Sequence, residues 1–218
     1  MLGVLYLIIL VIKLNEKLIE YIENNILPEY SKNESGHGIE HINYVINRCF
    51  KFAEQFDSVD LNVLYAIACF HDIAHYIDKN NHEILSAQIF YNNEDMKQFF
   101  SDEERLVIKE AIEDHRASAN HIPRSVYGRI ISSADRSTDV DEFLRRTHSY
   151  TLKHQPNCTI NKMIERAYQH ALEKYGDKGY AKHYVIDKDY IRFRTEISFL
   201  IANRKEFESR YKKVNSIE

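Results

Sequence analysis

The sequence predicts an all-α protein, and three observations carry that prediction. Apolar residues recur at three- and four-residue spacing through most of the 218 residues. Proline occurs only at Pro28, Pro123 and Pro156, each where one helix can give way to the next. No internal repeat or low-complexity tract interrupts the pattern. A chain of this length buries a sizeable core, and one domain is expected. Residues 1–30 form an N-terminal apolar segment and helix, 31–155 a helical core, and 156–218 C-terminal helices packing on it.

Met1 to Ile12 carries no charge, but Lys13 ends the run short of the about 18–20 apolar residues that a membrane helix needs. It lacks the leading positive charge and small-residue cleavage site of a secretory signal. It reads either as a packed helical extension or as residues upstream of the true start, and no membrane partner is expected. Leu14, Leu18, Ile19 and Ile22 then make one apolar face of a helix ending before Pro28. A polar connection, Ser31 to Gly38, places His37 at the mouth of the next helix. From Ile39 to about Phe56, the spacing of Ile42, Val45, Ile46, Cys49 and Phe52 puts His41 on or near the inward face.

Asp60 suits an N-cap for a helix running through the apolar stretch Leu64 to Ile77, which carries His71 and Asp72 and stops at the polar break Lys79 to Asn81. A short helix starts at about His82. Ser101 and Glu104 have capping-box spacing for a helix through Leu106, Ile108 and Ile112 that delivers His115 at its end. Pro123 suits the start of a helix leading to Asp135. Further helices are expected from Asp139 to about His154, along the stripe Ile160, Met163, Ile164, Ala167, Tyr168, Ala171 and Leu172, and as one long helix from Asp187 to Tyr211.

A formal net charge of −4 gives no electrostatic footprint for duplex nucleic acid or an anionic membrane. Cys49, Cys69 and Cys158 are odd in number and lack metal-finger spacing, which suits reduced thiols and a cytoplasmic location.

The most informative residues are His71 and Asp72, an imidazole and a carboxylate inside a segment that otherwise reads as core. An unpartnered buried carboxylate costs several kcal/mol, and a divalent cation is an economical partner. With His41 and Asp135 they make a mixed nitrogen and oxygen set that suits Mn, Fe, Co, Ni or Mg better than a structural zinc. Coordination positions left open favour catalysis: a bound ion makes hydroxide available near neutral pH and polarises a phosphoryl oxygen.

Three segments, Gly36-His-Gly-Ile-Glu-His41-Ile, Ala68-Cys-Phe-His71-Asp72-Ile-Ala and Ile131-Ser-Ser-Ala-Asp135-Arg136, resemble in order and context the ligand motifs of the HD-domain metal-dependent phosphohydrolase superfamily. The resemblance spans about residues 36 to 140. It implies a helical HD-type bundle with His41, His71, Asp72 and Asp135 as metal ligands, and hydrolysis of a small phosphate ester or nucleotide by metal-bound hydroxide attacking phosphorus. One departure is Tyr44-Val45, where many members carry Arg before the Val; Arg48, one turn later, is a substitute for it.

Seven of the 11 histidines fall between His37 and His121. His82 and His115 occupy positions similar to extra ligands in dinuclear members such as the HD-GYP phosphodiesterases, although the Gly-Tyr-Pro segment is missing. That leaves two readings: a second metal at His82 and His115, or His115 with Arg116 donating to a substrate phosphate, a task suited to a guanidinium fork. Arg136 is a further phosphate-binding candidate. His75, one turn after His71, and Asp78, just beyond, join Asp72 as candidates for proton transfer or positioning at the centre. His37 precedes His41 by four, but its flanking glycines suggest a loop. His121, His148, His154, His170 and His183 read as surface or capping residues. Two other functions stay open, a di-iron oxygenase on the same scaffold and a non-catalytic nucleotide-binding regulatory module.

Overall fold

The computed structural model describes residues 14–217, and its regular elements are ten α-helices and three short 3-10 turns. The reading of Met1 to Ile12 lies outside the described residues. No described helix is long and apolar enough to cross a membrane.

Helix α1 (Glu16–Asn25) starts on Asn15, whose side chain accepts from the amides of Lys17 and Leu18, and it buries Leu18 and Ile22. Pro28 sits in the first turn of the 3-10 segment Leu27–Lys32, where its missing N–H costs nothing. Within that segment the buried Tyr30 hydroxyl donates to the Cys69 carbonyl at 2.8 Å. Helix α2 (Ile39–Ala53) buries Ile42, Val45, Cys49 and Phe52, the expected stripe.

Helix α3 (Leu61–Phe70), capped by Asp60, buries every residue from Val63 to Phe70. It packs against α2, α5 (Asp102–Glu113) and α6 (Val126–Ala134), while α4 (His82–Asn92) lies along α5. A helix surrounded on all sides has no polar face, so α3 reads as a continuous apolar run. Each large side chain fully buried here, such as Leu64 or Phe70, contributes about 1.5–3 kcal/mol of transfer free energy. The Ser101–Glu104 capping box is present at the start of α5.

Two expectations differ. The helix carrying His71 and Asp72 ends at Phe70; beyond it the amides of Ile73, His75 and Ile77 bond three residues back, to Phe70, Asp72 and Ala74. Asp72 therefore sits on a tightened turn, held partly by the buried Ser86 hydroxyl, which accepts from the Ala74 amide at 3.1 Å. The last helix is two, α9 (Lys188–Ala202) and α10 (Arg204–Val214). Asn203 stands between them in a non-helical conformation, with its amide nitrogen Nδ2 bonded back to the Phe199 carbonyl at 2.8 Å.

The described chain forms two compact units. One extends to Asp135 and takes in His183–Ile186; the other comprises Arg136–Lys182 and the chain from Asp187. This division differs from the expected boundary at residue 155. Val140, Phe143 and Leu144 of α7 (Val140–His154) share a core with Met163, Ile164 and Ala171 of α8 (Ile160–Tyr175) and with Phe193, Ile197, Phe207 and Tyr211. In the first unit, the segment His183–Ile186 is fastened by Tyr184 N–H to Ser133 Oγ (2.9 Å) and by a two-way pairing of the Gln55 amide with the Ile186 backbone (2.9 and 3.0 Å).

Candidate metal centre

The four residues singled out first in the sequence meet in the first unit. His41 lies in the opening turn of α2, His71 and Asp72 at the end of α3, and Asp135 at the end of α6. His41 Nε2 is 3.2 Å from Asp135 Oδ1 and 3.7 Å from Asp72 Oδ2, and His71 Nε2 is 3.6 Å from Asp72 Oδ2. Neighbouring ligands in an octahedron with bonds of about 2.1 Å stand about 3 Å apart. These separations are of that order.

The contacts are close without being hydrogen bonds of good geometry. His41 Nε2, His71 Nε2 and Asp72 Oδ1 are buried with no hydrogen-bond partner. Buried polar atoms are nearly always satisfied, so the orphaned His41 Nε2 and His71 Nε2 in one set, and Asp72 Oδ1 beside His82 and His115 in another, fit bound cations. Three sets offer ligand atoms within 4.8 Å of one another: His41, His71 and Asp135; Asp72, His82 and His115; and His37, His41 and Asp72.

The backbone fixes which ring nitrogen faces inward. Nδ1 of His71, His82 and His115 lies 2.8, 3.0 and 2.6 Å from the carbonyl three residues upstream, that of Ala68, Lys79 and Ile112. Donation from Nδ1 leaves each Nε2 to face Asp72. His82 Nε2 and His115 Nε2 are 3.3 and 3.4 Å from Asp72 Oδ1, and 3.1 Å from each other. With both Nδ1 atoms donating, that contact needs one proton on an Nε2, so one ring of the pair carries positive charge. A divalent cation held by Asp72, His82 and His115 would take the place of that proton.

Charge in the cluster follows the same logic. Burial, the largest influence on Asp72, favours its neutral form, yet His71, His115 and His37 together hold the carboxyl well below its ordinary range. Asp135 is likewise held low, burial being outweighed by His41. Burial lowers His71 to about 4. His115 is raised, because Asp72 overcomes the effect of burial, whereas burial and then His115 lower its partner His82.

The remaining candidates divide. The His75 ring stacks on His37 at 3.7 Å between centroids, and His37 Nδ1 lies 2.7 Å from Asp72 Oδ2. His75 is thus beside the cluster, although not by the helical spacing that suggested it, since α3 has already ended; its Nδ1 is buried without a hydrogen-bond partner. Asp78 is half-buried and turned into its own loop, accepting from Asn80 N–H and Asn81 Nδ2 at 2.8 Å each. Arg116 bonds Glu83 through Nη1 at 3.0 and 3.1 Å. Arg136 belongs to the second unit, where its Nε donates to the Lys182 carbonyl at 3.3 Å. Arg48 reaches the Ser133 carbonyl near the end of α6 with Nη2 at 3.2 Å and the Tyr44 hydroxyl with Nη1 at 3.0 Å.

Spacing along the chain marks His37 only weakly and Asn33 not at all. Asn33 donates to the carbonyls of His37 (2.9 Å) and Asp72 (3.0 Å) and accepts from the Tyr76 amide (2.9 Å), tying the loop before α2 to the turn after α3. Its signal is only that of a polar residue in a Gly- and Ser-bearing connection. His37 was legible as a histidine four residues before a ligand candidate.

Residues 38–138 match the family model described as the HD domain. The match is consistent with the HD-domain metal-dependent phosphohydrolase superfamily, and the matched segment contains His41, His71, Asp72 and Asp135. No curated protein and no solved structure matches the chain.

Proposed function

We propose that the protein is a metal-dependent phosphohydrolase acting on a small phosphate ester, with nucleotides as the substrate class. The reading rests chiefly on the convergence of His41, His71, Asp72 and Asp135, at separations of 3.2 to 3.7 Å, inside the segment that matches the HD domain. These four residues would hold a divalent ion, which would supply Lewis acidity toward a phosphoryl oxygen and acidify a water. The carbonyl contact at Nδ1 of His71 presents its Nε2 as an electron-pair donor. Asp135, with its side chain 20% exposed, is the most accessible of the four. His37 and His75 lie where they can orient Asp72 and hold or pass a proton.

A screen for phosphate release with Mn, Mg, Co and Ni tests the proposal. Turnover is expected to depend on the added metal and to stop with a chelator and in Asp135→Ala. Turnover indifferent to chelator would refute it. Protons compete with the ion for its imidazoles, and burial lowers His71 to about 4, so activity should also fall as pH drops toward that value.

A second reading is favoured by the division of Asp72. Its Oδ2 faces His37, His41 and His71, whereas Oδ1 faces His82 and His115. A carboxylate so placed can bridge two ions, and a di-iron centre for dioxygen chemistry uses such a bridge as readily as a two-metal hydrolase. Iron content and oxygen uptake separate the two. A non-catalytic nucleotide-binding module ranks below both because every ligand position is intact.

A further inference from the structure

A cleft of about 570 Å³ is lined by Glu83 and Arg116, the chain neighbours of His82 and His115, together with Glu113, Ser118, Asn120 and Arg124 among others. Its volume falls within the range of about 300–1,000 Å³ typical of ligand sites. Its acids are already neutralised. Glu113 bonds Lys109 (2.5 Å) and Arg124 (2.7 Å), Glu83 bonds Arg116, and the buried Asp114 behind the cleft accepts from Arg124 and His121. Arg124 is spent on Asp114, Glu113 and the Glu110 carbonyl.

Arg116 is different. Only its Nη1 is engaged, by Glu83 and the Asn80 carbonyl, and Nε and Nη2 make no hydrogen bond to any described residue. Those two nitrogens form the side edge of the guanidinium, the fork that takes two oxygens of one phosphate. Glu83 and Asn80 hold the group by its opposite side, so the fork is oriented before a ligand arrives. The Ser118 hydroxyl and Asn120 Nδ2 add donors with no acceptor among the described residues. The lining includes no Phe, Tyr or Trp on which a base can stack.

We propose that this cleft binds the phosphate-rich part of the substrate, away from the phosphoryl group attacked at the metal centre, with the Arg116 fork as its anchor. The substrate class is therefore a compound with more than one phosphoryl group. The inference rests on the phosphohydrolase reading for its substrate, but its test needs neither metal nor turnover.

Inorganic pyrophosphate is titrated into chelator-treated protein, with affinity read by calorimetry and the site by amide shifts. Wild type is expected to bind pyrophosphate more tightly than phosphate, with shifts at 116–121, and to show none there with adenosine. Losing a bidentate charged contact should weaken binding by about tenfold or more in Arg116→Gln. Arg116→Lys should not restore it, because an ammonium lacks the fork. Ser118→Ala, on an exposed loop, should weaken it severalfold with the fold intact. Unchanged pyrophosphate affinity in both Arg116→Gln and Ser118→Ala, or shifts mapping elsewhere, would overturn the site; equal shifts with adenosine would overturn the ligand class. Absence of hydrolase activity alongside Arg116-dependent binding would sink the enzymatic reading and leave the cleft standing.

Discussion

Nε2 of His82 lies 3.1 Å from Nε2 of His115, and each ring turns Nδ1 to a backbone carbonyl. Beside Asp72 Oδ1, this pair makes a ligand set separate from the one around His41 and His71, sharing only Asp72. Elemental analysis after saturation should therefore give two ions per chain in wild type and one in His82→Ala or His115→Ala. Equal stoichiometry in wild type and both variants would remove the second site.

Asn33 ties the Asp72 turn to the loop ahead of α2 through three hydrogen bonds. Asn33→Ala leaves two carbonyls and one amide without that partner, a loss of about 1–3 kcal/mol. Urea denaturation should show that destabilisation, and calorimetry should show weaker metal binding because the Asp72 carbonyl loses its anchor. Unchanged metal affinity would mean that the turn holds its shape unaided.

Gly128 permits a close approach between α6 and the corner at Asp114. A Cβ there would stand 3.0 Å from Pro123 Cβ and 3.1 Å from Asp114 Oδ2. Helix propensity favours Gly128→Ala by about 1 kcal/mol, whereas overpacking costs about 1–3 kcal/mol. Crowding should win, giving a net loss of about 1 kcal/mol in the same denaturation experiment; a more stable variant would show that the corner yields freely.

His170 is expected at the surface or in a cap, but its ring stacks on Phe143 at 5.6 Å, and burial, aided by Lys174, lowers it to about 4. The unfolded chain takes up this proton below about pH 6.5, the folded one only near pH 4. Its contribution to stability is thus complete above about pH 6.5 and is lost as pH falls toward 4, at a slope of at most about 1.4 kcal/mol per pH unit. His170→Phe keeps a stacking ring and removes the titration. Its stability should decline less steeply between pH 6.5 and 4.5, and an unaltered slope would contradict the shift.

Residue identity with flanking context made His41, His71, Asp72 and Asp135 legible, since few other reasons place an imidazole and a carboxylate among Ala, Cys, Phe and Ile. Helix periodicity found α2, α5 and α8. It could not find the end of α3, because Ile73, Ala74 and Ile77 are apolar whether their amides bond three or four residues back. His75 was placed through that assumed helix, whereas it reaches the cluster on the turn that follows α3. The Glu83–Arg116 pair and the Asn33 ties join positions 33 to 43 residues apart, which spacing along the chain does not encode. The break at Asn203 was hidden because asparagine is only mildly unfavourable in a helix and no Gly or Pro stands beside it, and the grouping of α7 was hidden because its partners lie on helices that follow it.

Metal content of the purified protein, measured beside Asp72→Ala, tests the shared centre most directly. Wild type should retain a transition metal through gel filtration and lose it to chelator, and Asp72→Ala, stripped of the carboxylate that faces both histidine sets, should retain none while keeping its helical spectrum. Equal metal loading in a folded Asp72→Ala protein would contradict the centre described here.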